Sequence, residues 1–85
     1  MRISNEDSRE RSAFVYNFED TSQAIALASK PLEAGQKWDY DPPANGSGLY
    51  NVILKRDAGG GSIMAAGSAG AGGTWVFDGQ KFIIS

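Results

Sequence analysis

The run Asp39-Tyr40-Asp41-Pro42-Pro43-Ala44-Asn45-Gly46 is the densest cluster of chemistry-bearing side chains in the sequence. Three side-chain oxygen ligands in a turn-forming segment are what calcium takes from a loop. The EF-hand spacing fails, because Pro43 occupies the third ligand position. The same residues also serve a purely structural end, with Asp capping a Pro-Pro turn and Asn45-Gly46 reversing the chain. Asp39 and Asp41 share a face if the preceding strand continues through them, and paired carboxylates can hydrolyse a glycosidic bond. One of the pair would then need a cleft deep enough to raise its pKa, and 85 residues leave little room for one.

Other catalytic chemistry is narrowed by what is missing. There is no His and no Cys. Ser–His–Asp and Cys–His arrangements therefore cannot be assembled, and the commonest general acid–base group is gone. Zinc, copper, haem and iron–sulfur clusters lose their usual ligands, and disulfides are excluded. The expectation is a protein that is not an enzyme and carries no cofactor. Gly59-Gly60-Gly61-Ser62 and Gly67 to Gly73 are not followed by the Lys-Ser or Lys-Thr of a phosphate-binding loop, and no helix begins there. They read as loops, or as small residues permitting close approach at a sheet edge or subunit contact.

Aromatic residues are the remaining candidates. Trp38, Tyr40, Trp75, Phe77, Tyr16 and Tyr50 are many for so short a chain. Such rings fill cores, and their faces also stack on the apolar faces of sugars. Trp38 stands out because Lys37, Asp39 and Asp41 surround it with polar groups beside a loop. The candidate ligand-binding set is accordingly Trp38, Asp39, Tyr40, Asp41 and Asn45. Asp39, Asp41 and Asn45 would hydrogen-bond hydroxyls while Trp38 or Tyr40 stacks.

The elements that must hold these residues read as short strands. Met1 to Arg11 alternates charges with almost nothing apolar and is expected to be a charged tail or edge segment, leaving 12–85 as a single β domain. Ala13 to Phe18 alternates, with Phe14, Tyr16 and Phe18 on one face, Tyr16 and Phe18 inward if the two halves of the chain are duplicated. Gln23 to Ser29 places Ile25 and Leu27 on one face and ends at Lys30-Pro31, so it reads as a strand followed by a turn over Pro31–Gly35. Gln36 to Tyr40, Leu49 to Lys55, Ser62 to Ala66, Thr74 to Phe77 and Gln80 to Ile84 complete the set. Asp78-Gly79 between the last two is a strong hairpin signal. Six to seven short strands with frequent turns predict an all-β fold, a small antiparallel β-sandwich or barrel.

The halves also resemble each other. Val15-Tyr16-Asn17-Phe18 recurs as Leu49-Tyr50-Asn51-Val52, Ile25-Ala26-Leu27-Ala28 parallels Ile63-Met64-Ala65-Ala66, and Trp38-Asp39-Tyr40-Asp41 parallels Trp75-Val76-Phe77-Asp78. Either short strands simply look alike, or two related units pack about a pseudo-two-fold axis. A true duplication places Asn17 and Asn51 on equivalent outward positions.

A formal charge of −2, with eight Lys and Arg scattered among ten acids, lacks the basic stripe that nucleic acid requires. No apolar run approaches the roughly 20 residues of a membrane span. Met1 to Asp7 shows no apolar signal segment, which fits a cytoplasmic protein or a mature or trimmed secreted chain equally. A chain of this size buries only about 60% of its unfolded surface, so a partner subunit is the natural staple once disulfides and metals are gone. Two readings follow. One is a non-catalytic binding module, lectin-like, taking a glycan; the other is a structural or protein-interaction domain that self-associates and has no small-molecule ligand.

Overall fold

Leu49–Asp57 is the strand the sequence marks most clearly, dense in β-branched and large apolar residues, and it lies inside a sheet with neighbours on both sides. The computed structural model describes residues 1–85 as eight strands with no helix: β1 (Arg2–Asn5), β2 (Arg11–Asn17), β3 (Ala28–Leu32), β4 (Lys37–Asp39), β5 (Leu49–Asp57), β6 (Gly60–Gly70), β7 (Thr74–Phe77) and β8 (Phe82–Ile84). They form two four-stranded sheets, β4-β1-β7-β8 and β3-β2-β5-β6. All neighbours are antiparallel except β1 and β7, which run parallel. The architecture is a small all-β sandwich, as composition and turn spacing predict. No helix is long and apolar enough to cross a membrane.

The core lies between the sheets. Ile3, Trp75 and Phe77 enter it from the first, and Ala13, Val15, Leu32, Tyr50, Val52 and Leu54 from the second. Burying a side chain of Val, Leu, Ile or Phe size contributes about 1.5–3 kcal/mol, so this one layer supplies most of the fold's driving force. Trp75 also anchors across the sandwich, donating from Nε1 to the Gly67 carbonyl on β6 at 3.0 Å. β6 and β8 approach so closely there that a Cβ on Gly67 would clash with Ile84 Cδ1.

The first eleven residues are not a tail or an edge. β1 lies inside its sheet between β4 and β7, with Ile3, Ser4 and Asn5 buried, and Arg11 already belongs to β2. The charges Glu6, Arg9 and Glu10 fall in the connection between β1 and β2, where they are exposed. Asn5 is the joint. Its Nδ2 donates to the carbonyls of Arg9 (2.8 Å) and Leu32 (2.9 Å), and its Oδ1 accepts from the Asp7 amide at 3.0 Å. One buried side chain thereby ties the first sheet to the end of β3 in the second.

The inward face of β2 is also one residue off expectation. Ala13 pairs with Leu54 and Val15 with Val52, all in the core. Phe14 and Tyr16 lie on the opposite face with Ile53, and Phe18 is exposed. Aromatic size suggested the wrong face, because Phe14 finds cover from the Lys55 ammonium, 4.8 Å from its ring centre, and from its neighbour Ile53. The same register puts Asn17 opposite Tyr50 and Asn51 opposite Tyr16, so the two asparagines point to different faces. That removes the equivalence a duplication requires.

The strand expected over Gln23–Ser29 forms instead at Ala28–Leu32, and Ile25 is left exposed in the preceding loop. Pro31 sits within β3 rather than starting a turn. It is tolerated because β3 is an edge strand, so its missing N–H costs no ladder bond on the solvent side. The Asp78-Gly79 reversal is present with a longer connection, pairing Phe77 with Phe82. Only Gly79 takes a positive φ, +104°, while Asp78 Oδ1 accepts from the amides of Gln80 and Lys81.

Candidate functional site

Ladder register brings the site together. Arg2 on β1 stands opposite Asp39 on β4 and opposite Thr74 on β7, so three elements far apart in sequence form one row across the sheet. Arg2 Nε donates to Asp39 Oδ1 at 2.7 Å and Nη2 to Oδ2 at 3.1 Å, a two-pronged pair on the surface. The pair gives specific geometry and little stability, since both groups are more than half exposed. Its effect is electrostatic: hydrogen bonding from Arg2 holds the Asp39 carboxyl below the usual carboxylate range.

Backbone bonds extend the row past the ends of the strands. The Tyr40 amide donates to the Met1 carbonyl at 3.0 Å, and the Arg2 amide to the Gly73 carbonyl at 3.1 Å. Tyr40 is thus held beside β1, and the Gly72-Gly73 turn is held on its other flank. Gly73 must lack a side chain: a Cβ there would lie 2.9 Å from Ala69 Cβ and 3.1 Å from the Gly70 carbonyl. An open groove of about 440 Å³ results, lined by Met1, Arg2, Asp39, Tyr40, Asp41 and the Gly72–Thr74 segment.

Three of the five residues picked from sequence, Asp39, Tyr40 and Asp41, line this groove together. Trp38 stands behind them. It pairs with Ile3 on the inward side of β4, is half-buried against the core, and stacks on Tyr40 with ring centres 5.3 Å apart. Asn45 lies outside the groove and organises the β4–β5 connection. Its Nδ2 donates to Asn17 Oδ1 (3.0 Å) and to the Leu49 carbonyl (2.8 Å), while its Oδ1 accepts from the Gly48 amide (2.6 Å). The Ser47 amide donates to Glu19 and the Tyr50 hydroxyl to the Pro43 carbonyl, so this connection is pinned at several points.

Nowhere do three carboxylates converge as a cation site would need. Arg2, Thr74 and the Gly72-Gly73 turn are the groove residues that sequence reading passed over. Arg2 was hidden by the reading of its segment as a tail, and the parallel pairing of β1 with β7 has no local signature. Comparison with protein-family models, with curated proteins and with solved structures returns no match.

Proposed function

We propose that this chain is a non-catalytic, lectin-like binding module whose ligand is a carbohydrate, held in the groove by Asp39, Tyr40 and Asp41. The observation that carries this reading is the groove itself, where exposed carboxylates, a guanidinium, backbone polar groups and an aromatic ring converge. Sugar hydroxyls both donate and accept. The Arg2–Asp39 pair offers both complements side by side, and Asp41 adds a further acceptor. Tyr40 supplies the apolar surface, with Trp38 behind it fixing its angle. On this reading Trp38 braces the stacking ring, and Asn45 shapes the adjoining loop.

The absence of catalysis is part of the proposal. A carboxyl acting as general acid at neutral pH needs its pKa raised, and Arg2 moves Asp39 in the opposite direction. A glycan array followed by calorimetry tests the reading. The expected result is binding that Tyr40→Ala weakens by about tenfold, as loss of an aromatic hot spot does. Absence of binding to any glycan at high micromolar protein would overturn it. The second reading, an interaction domain with no small-molecule ligand, draws on a different observation, the open edge of β6.

A further inference from the structure

The sandwich has two open sides, and they are built differently. On one, the edge strands β3 and β4 carry Lys30, Pro31, Lys37 and Asp39. Charges and proline on an edge discourage another strand from pairing there. On the other, β6 and β8 carry no ionisable residue and no proline, and from Ala58 to Phe77 the chain is uncharged throughout. Ile63, Ile83 and Ile84, on these two strands, are 59%, 51% and 38% exposed.

Backbone groups on β6 face outward in a regular pattern. Phe18 donates to the Leu49 carbonyl, so Leu49, Asn51 and Ile53 direct their backbone bonds toward β2. Their partners on β6 are Gly70, Ser68 and Ala66, whose amide and carbonyl groups then point away from β5. No strand lies beyond β6 to receive them. The Gly70 carbonyl is taken by the Gly73 amide, which leaves Ala66 and Ser68 with open donors and acceptors. Ala65 to Gly70 holds unbroken register with β5, and a register shift bends the strand away before Ala65.

We propose that this side is the interface of a homodimer, in which β6 pairs antiparallel with β6 of a second copy about a two-fold axis near Ala66. In an antiparallel pair about a two-fold axis only the residues at the axis face their own symmetry mates, so a charge there would meet a like charge. β6 has none, whereas β3 would bring Lys30 close to its copy. The size is adequate for a reversible complex. Ala65 to Gly70, the six residues in regular register, span about 20 Å at about 3.3 Å each, and the side they lie on is bounded by the molecular extents. A side of 36 by 18 Å gives at most about 650 Å² per copy, or roughly 1,300 Å² in all, at the low end of the range for specific interfaces. Reciprocal bonds between Ala66 and Ala66 of the second copy form the centre, and the exposed isoleucines flank it.

Sedimentation of the full chain from low micromolar to near-millimolar concentration tests this. A monomer–dimer equilibrium is expected. Ala66→Lys should raise its dissociation constant about tenfold or more through like-charge repulsion across the axis, with circular dichroism unchanged and the urea midpoint unchanged at concentrations where both chains are monomeric. Ser68→Lys, two residues from the axis on the same edge, should shift the equilibrium in the same direction by a smaller factor, which guards against misfolding of either variant. Ser29→Lys on β3 should leave the equilibrium untouched. A chain that stays monomeric throughout, or a dimer indifferent to both β6 lysines, would overturn the proposal.

Discussion

β1 and β6 make an instructive pair. β1 is four residues of mixed polarity beside a charged segment, yet Ile3, Ser4 and Asn5 are among the most buried residues of the molecule. β6 is eleven residues without a charge, yet not one of them is fully buried. Strand position accounts for the contrast. β1 lies between β4 and β7, with Ile3 paired to Trp75, whereas β6 is the edge of the other sheet, paired with β5 on one side and with no strand on the other. Burial in so small a sandwich goes chiefly with having a strand on both sides, Leu32 on the edge strand β3 being the exception within the core.

The largest effect that would break this contrast belongs to β1. Asn5→Ala should cost about 2–4 kcal/mol, because it removes the partner of the buried Leu32 carbonyl and of the part-buried Arg9 carbonyl and Asp7 amide together. Urea denaturation measures it, and a loss under 1 kcal/mol would mean that the joint between the sheets lies elsewhere. On β6, Gly67→Ala drives a methyl toward the tip of Ile84, which is partly exposed and can turn aside. A loss of about 1 kcal/mol is expected, and Ile84→Ala in the same chain should recover part of it.

Ser4→Ala carries the opposite sign. The Ser4 hydroxyl is buried with no partner, so its removal should raise stability by up to about 1 kcal/mol. The urea midpoint should rise, and a fall would mean that the hydroxyl has a partner after all. Smallest is the acid dependence of the β1–β2 connection. The Arg11 hydrogen bond holds the Asp7 carboxyl below its ordinary 3.8. A depressed folded-state pKa adds stability that is present above 3.8 and is lost as pH falls through the folded value. The melting temperature should therefore drop on acidification into that window, and the drop should be smaller in Asp7→Asn.

Sequence made β5 and β7 legible because their alternation and β-branched content are local properties. The Asp78-Gly79 reversal was legible for a similar reason, since a positive φ at Gly79 is a single-residue demand. β1 was illegible because its partners, β4 and β7, lie more than thirty residues away, and the polar Ser4 and Asn5 mask its burial. The β2 face was misjudged because Ala13 and Val15 are smaller than Phe14 and Tyr16, and small residues fit opposite the bulky Tyr50, Leu54 and Trp75. The groove was half legible. Asp39, Tyr40 and Asp41 share a local run, while Arg2 and the Gly72–Thr74 segment join them only through the sheet.

The groove as a carbohydrate site is the central claim, and a glycan array run on three chains tests it most directly. Wild-type protein should bind a defined glycan class, and the double variant Asp39→Asn, Asp41→Asn should lose that binding while keeping its fold. Asn45→Ala, which alters a loop-organising residue outside the groove, should retain the same specificity if the domain stays folded. Unchanged binding in the double variant, or no glycan binding by the wild-type chain, would contradict the account.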